Sequence, residues 1–303
     1  MRESGRRIIL IMAATAALLS VAGCGSATPA AGGGGQLKVV AGENFWGSLA
    51  SQLGGTHASV TSIVSNPNVD PHEYESSPSD ARTFATADYV ILNGAGYDDW
   101  ATHLLQANPS SQRRVLIVSD LLGKKAGDNP HLWYKPDWVD QVVSRITADL
   151  KSLDRTDASY FDGRQTALRT ALGPYHQRVT AIRDRFKGVA VGSTESIFVY
   201  MADALGLNLI SPPGFMQAIA EDNDPSARDL ATFTEQVRGR LIRVLVYNSQ
   251  AQNRTTENLR QIAVQQGIRV VGISETVVPP GASFQAWQVA QLDRLQEALS
   301  AGQ

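Results

Sequence analysis

Short β-branched runs alternate with helical patterns twice over in this chain, and that alternation is its strongest constraint on fold. Runs at residues 37–40, 60–64, 89–93 and 115–118 are separated by candidate helices at 44–53, 78–87 and 99–107, with Ser77 or Ser79 placed to cap the second. A second set of runs at 189–191, 207–210, 243–247 and 269–273 is interleaved with helices near 196–205, 227–238 and 255–266. Strands alternating with helices form parallel α/β sheets. The expected fold class is therefore α/β, with two similar lobes, each a four-stranded, mainly parallel sheet flanked by helices. At 303 residues and 43% hydrophobic content the chain is long and apolar enough for both.

Between the two sets, Phe161, Leu168, Leu172, Tyr175, Val179, Ile182 and Phe186 recur at helical spacing and form one apolar stripe. A helix over residues 155–186 would be on the order of 45 Å long, enough to run along both lobes. Gly173-Pro174 should kink it, since proline removes a backbone donor and crowds the preceding turn; two helices meeting there are the alternative. The expected division is an amino-terminal lobe over 37–153, one long connecting helix over 154–187 and a carboxyl-terminal lobe over 188–303.

The first residues follow a different grammar. Arg2, Arg6 and Arg7 precede an apolar run at 8–19 and small residues ending in Ala22-Gly23-Cys24, the pattern of a signal peptide over 1–23. The run is short for a membrane span. Cys24 is the sole cysteine, so no internal disulfide is available. Residues 24–36, rich in Ser, Ala, Pro and Gly, read as a flexible tether. The formal charge of −2 argues against a nucleic-acid partner.

In open parallel sheets, ligands bind beyond the carboxyl ends of the strands. His72 lies past the run ending at Val64, in the segment 66–75, where Pro67 and Pro71 stiffen a polar loop. His131 repeats the prolyl-histidine pattern after the run ending at Val118, Glu195 follows the run at 189–191, and Glu275 follows the run at 269–273. Two imidazoles from one lobe and two carboxylates from the other would make a mixed nitrogen and oxygen site for a divalent transition metal. Glu195 could equally cap the helix near Ser196, and Glu275 could be a plain turn residue. His57, His103 and His176 receive no ligand role, and Trp133, Trp138, Phe284 and Trp287 read as packing residues. The segment 222–225 matches a calcium loop only superficially.

Assembled, these residues resemble those of the metal-binding lipoproteins of zinc and manganese ABC importers, over essentially the whole chain after the signal. Asn66-Pro67 through Asp70-Pro71-His72-Glu73-Tyr74-Glu75 and Pro78-Ser79-Asp80 is similar to the family's first ligand motif, and Asn129-Pro130-His131-Leu132-Trp133 to its second. Glu195 falls where the family places a histidine or glutamate, and Glu275 where it places an acidic fourth ligand. Val21-Ala22-Gly23-Cys24 resembles a lipobox, whose cysteine is lipidated and anchors the protein to the outer face of the cell membrane. Many zinc importers of the family carry a histidine-rich acidic loop, whereas residues 119–129 here hold Lys124 and Lys125 and no histidine. Two histidines with two carboxylates form a harder set than three histidines, which shifts preference towards manganese or iron, although zinc binds such ligands well.

The resemblance implies an exported, monomeric receptor that captures Mn²⁺ or Zn²⁺, with Fe²⁺ a further candidate, and delivers it to an ABC permease. The chain has no G-x-x-x-x-G-K-[ST] loop, so the ATPase would be a separate cytoplasmic subunit. The competing readings are a secreted metallohydrolase using an open position of the same cluster, with Glu73 as base, and a surface adhesin lipoprotein.

Overall fold

The computed structural model describes residues 35–68 and 71–301; the signal segment, Cys24, Val69 and Asp70 lie outside them. The amino-terminal lobe runs β1 (Leu37–Glu43), α1 (Asn44–Gly54), β2 (Ala58–Val64), α2 (Pro78–Ala85), β3 (Tyr89–Leu92), α3 (Asp99–Ala107), β4 (Arg114–Ile117), the single turn α4 (Val118–Leu121) and α5 (Pro136–Leu153). Helices α6 (Ala158–Ala171) and α7 (Gly173–Phe186) lead to the second lobe. There follow β5 (Ala190–Ser193), α8 (Val199–Ala204), β6 (Asn208–Leu209), α9 (Pro213–Ala220), α10 (Ala227–Arg238), β7 (Val244–Asn248), α11 (Arg254–Gln265), β8 (Arg269–Ile273) and α12 (Phe284–Ser300).

Each lobe holds one four-stranded sheet, ordered β2-β1-β3-β4 and β6-β5-β7-β8, and every pairing is parallel. This is the expected α/β class, with the same strand order twice. In each sheet the order reverses between the first strand of the lobe and the third, and the loops leaving those strands diverge to open a crevice.

Local chemistry fixes the ends. Ser77 rather than Ser79 caps α2, in a reciprocal box with Asp80. Asn253 caps α11 in the same way with Thr256. Between α6 and α7 the backbone stays helical at Leu172, and the bond from His176 N–H to the Leu172 carbonyl carries the ladder past Pro174, which has no donor to give. The connection is thus two helical segments, α6 and α7, that meet at Gly173-Pro174 with the backbone helical across the junction.

The expected helices omitted three long or buried elements, α5, α9 and α12. The apolar face of α5 (Val139, Val142, Val143, Ile146 and Leu150) is wholly buried, and so are Phe284, Trp287, Leu292, Leu295 and Leu299 of α12. Both belong to one continuous core that includes β1 of the first lobe, β7 of the second, and α6 and α7. From Gly35 onward the chain is accordingly a single compact unit. Hydrogen bonds stitch the lobes directly: Asn44 exchanges a reciprocal pair with the Val277 backbone at 2.9 and 3.3 Å, Ser48 Oγ accepts from Phe284 N–H at 2.9 Å, and Asn129 Nδ2 donates to the Ser196 carbonyl at 2.7 Å. No helix among the described residues is long and apolar enough to cross a membrane.

Candidate metal centre

His72 sits in a 3-10 turn, Pro71–Glu73, whose Pro71 is buried and whose histidine is 21% exposed. His131 precedes a second 3-10 turn, Leu132–Tyr134, and is fully buried. Asn129 orients it: His131 Nδ1 lies 2.7 Å from Asn129 Oδ1, and the His131 N–H donates to the same oxygen at 3.0 Å. With Nδ1–H donating to Asn129, Nε2 carries the lone pair, and that atom makes no hydrogen bond among the described residues. Trp133 packs edge-on against the ring and itself stacks on Phe45 at 3.8 Å, which fixes the imidazole plane.

The carboxylates arrive from the other lobe, both fully buried. Glu195 does cap the turn after β5: its Oε1 accepts from Ile197 N–H at 3.0 Å and from Ser196 Oγ at 2.9 Å. Capping does not exclude the other role, because the same oxygen is 3.7 Å from His131 Nε2. Glu275 Oε1 lies 3.3 Å from His72 Nε2, and its Oε2 lies 3.9 Å from His131 Nε2. Ligand atoms of His72, His131 and Glu275 all fall within 4.8 Å of one another. All four residues converge where the two lobes meet.

Two supporting residues escaped the sequence reading. Asn248, the last residue of β7, donates from Nδ2 to Glu275 Oε1 at 2.5 Å and to Glu195 Oε2 at 3.2 Å, bridging the two acids. Tyr97, in the loop after β3, donates its hydroxyl to Glu275 Oε2 and packs edge-on against the His72 ring. Asn248 ends its strand and Tyr97 lies just past the end of its own, so the rule that located the histidines would have found them had it been extended to donors. The Tyr97 loop depends on Gly94, at φ 73°, where an added Cβ would meet Ser119 Oγ at 2.2 Å.

Burial raises the Glu275 carboxyl, but the proximity of the His72 and His131 rings outweighs it and holds the group well below the usual carboxylate range. It is an anion at neutral pH. Behind the site a second buried acid pair behaves oppositely. Burial, then the charge of Asp98, push Glu43 well up, and burial raises Asp98 to about 6 although the Asn93 and Gly94 amides bond to it. A cavity of about 340 Å³ reaches the cluster at His72 and is lined in part by Tyr97, Asn129, Ser196, Met216 and Glu221.

The remaining residues singled out in the sequence supply no ligand atom to the cluster. Phe284, Trp133 and Trp287 are buried packing residues, and Trp287 Nε1 donates to Ser274 Oγ at 3.0 Å. His176 pairs with Asp140 at 3.3 Å, and His103 is exposed on α3. His57 faces two aspartates at the opposite end of the first sheet.

Comparison with known proteins agrees with this architecture. The family described as zinc-uptake complex component A, periplasmic, matches residues 39–298. A manganese-binding lipoprotein of Halalkalibacterium halodurans is 28% identical over 63% of this chain and 66% of its own length. The manganese ABC transporter substrate-binding lipoprotein of Streptococcus pneumoniae is 22% identical over 99% of this chain and 100% of its own. Among solved structures, the periplasmic zinc-binding protein TroA of Treponema pallidum superposes with a TM-score of 0.73 at 18% identity, covering 88% of this chain and 99% of that one. The chain belongs to the zinc-uptake complex component A family, and is a substrate-binding protein of a transporter rather than an enzyme.

Proposed function

We propose that His72, His131, Glu195 and Glu275 hold a divalent transition metal, Mn²⁺ or Zn²⁺, as cargo between the lobes, and that the protein delivers it to an ABC permease driven by a separate ATPase. The observation that carries this reading is His131 Nε2, a fully buried ring nitrogen with no hydrogen bond among the described residues, facing two buried carboxylates. An unsatisfied polar atom in such a place costs about 1–3 kcal/mol, a cost that a metal bond removes. Metal bonds of about 2.1 Å set ligand atoms about 3.0 Å apart at right angles and about 3.4 Å at the tetrahedral angle. The separations of 3.3, 3.7 and 3.9 Å need only a slight contraction to reach that.

Mechanistically, the carboxylates supply the charge and the imidazoles supply the pH sensitivity. Four protein ligands leave little room for an activated water, which supports capture over hydrolysis. Two nitrogens with two oxygens form a hard set that accepts Mn²⁺, and the relatives named for manganese fit that chemistry. Lipidation of Cys24, with residues 24–36 as tether, would keep a monomeric receptor at the outer face of the membrane. Competitive titration of metal-free protein with Mn²⁺, Zn²⁺ and Fe²⁺ tests the reading: one ion per chain at the cleft is expected, and full stoichiometric binding by a His72→Ala, His131→Ala double variant would remove it.

A further inference from the structure

We infer a second, peripheral divalent-metal site formed by His57, Asp154 and Asp157, on the far side of the amino-terminal lobe. His57 ends the short turn between α1 and β2, and the two aspartates flank the connection from α5 to α6. About a hundred residues of chain separate them, yet His57 Nδ1 lies 3.2 Å from Asp157 Oδ2 and 3.6 Å from Asp154 Oδ2. All three ligand atoms fall within 4.8 Å of one another. Those separations bracket the edges of a coordination shell with bonds of about 2.1 Å.

The surroundings aim the three groups. Asp154 Oδ1 is committed, accepting from Thr156 Oγ1 at 2.7 Å and from Asp157 N–H at 3.3 Å, which turns Oδ2 towards His57. The His57 ring lies against Tyr160 with centroids 4.1 Å apart and meets the edge of Phe161 at 5.9 Å. The Tyr160 hydroxyl accepts from Thr56 N–H at 2.9 Å, tying the turn that carries His57 to the helix that follows the aspartates. Such outer contacts orient ligands at metal sites.

This cluster is separate from the cargo site. His57 precedes β2 and His72 follows it, and seven residues of strand place the two on the order of 20 Å apart. The side chains are partly exposed, at 29%, 23% and 42%, so water completes the shell and the site exchanges freely with solvent. One nitrogen and two carboxylate oxygens with a charge of −2 suit Zn²⁺ or a neighbouring divalent ion. Bound metal would clamp the α1–β2 turn to the start of α6, a fixture of the lobe rather than a cargo position.

Equilibrium dialysis of the untagged full chain against Zn²⁺ tests this. Two ions per chain are expected, the second held roughly 100-fold more weakly because water replaces one protein ligand. His57→Ala and the near-isosteric Asp157→Asn should each bind one ion, with the tight phase unchanged, whereas His131→Ala should lose the tight phase and keep the weak one. Crystals soaked in Zn²⁺ should show an anomalous peak among the three side chains. One ion per wild-type chain, a weak phase that survives in both His57→Ala and Asp157→Asn, or anomalous density confined to the interlobe cleft would overturn it.

Discussion

The two lobes share a strand order but furnish opposite halves of the site. The amino-terminal lobe offers ring nitrogens on short proline-flanked turns that follow its two edge strands, and one of them, His72, remains 21% exposed. The carboxyl-terminal lobe offers charged oxygens that are fully buried and already hydrogen-bonded by Asn248, Tyr97, Ser196 and the Ile197 amide. An isolated buried anion is costly, whereas a buried neutral imidazole needs only one partner to fix its tautomer. The heavier scaffolding therefore belongs to the acids, and the lighter one to the histidines.

Breaking each half should cost differently. The largest loss is expected from His131→Ala, which removes the buried, pre-oriented nitrogen and leaves two carboxylates facing a void. Mn²⁺ affinity by calorimetry should fall by roughly 1000-fold, and by roughly 100-fold for His72→Ala, whose place water can fill. Equal losses would mean that burial does not distinguish them. Next comes Asn248→Ala, which leaves both ligand pairs intact but removes the donor shared by the acids; a loss of about 10–100-fold is expected, and an unchanged Kd would show that the carboxylates hold their positions alone.

Acidification separates the halves without mutation. Metal ligation needs deprotonated imidazoles and so competes with protons, while Glu275 is held well below the ordinary carboxylate range, so Mn²⁺ should be released on mild acidification, before that carboxyl protonates. The effect on folding has the same sign but sets in at lower pH. A depressed carboxyl contributes stability that is present above its unfolded value and lost as pH falls through the folded one, so the metal-free protein should keep the Glu275 contribution at pH 5 and lose it only in stronger acid. Release that began only below about pH 4 would place the titration on the acids instead.

The smallest effect concerns the pair behind the site. Glu43 and Asp98 are raised, so their ionisation works against the folded state as pH climbs above the unfolded values. Glu43→Gln should raise the melting temperature of the metal-free protein at pH 8 by about 2–4 °C and change it little at pH 4. A lower melting temperature at pH 8 would show that the Glu43 carboxylate is needed there.

The strands were legible in the sequence because both faces of a covered parallel sheet demand continuous apolar runs, as Tyr89-Val90-Ile91-Leu92 illustrates with all four side chains buried. The proposed ligands could be picked out because carboxyl ends of strands converge. Helix α12 was not, because its buried face carries Gln288 and Gln291 among the apolar residues; Gln291 Oε1 accepts from Ser274 N–H at 2.9 Å and from the Tyr134 hydroxyl at 3.1 Å, a use that no periodicity displays. Helix α9 is two turns long and buried at Phe215, Met216 and Ile219, too short for a period to register. Asn248 and Tyr97 were missed for a related reason: their function lies in whom they touch, which the fold determines.

X-ray absorption at the metal edge of protein loaded with one equivalent of Mn²⁺ or Zn²⁺ tests the central claim most directly. Two imidazole nitrogens, recognisable by their outer-shell scattering, should accompany carboxylate oxygens at about 2.0–2.2 Å, and the imidazole signal should halve in His131→Ala. An all-oxygen shell without imidazole scattering would contradict the account.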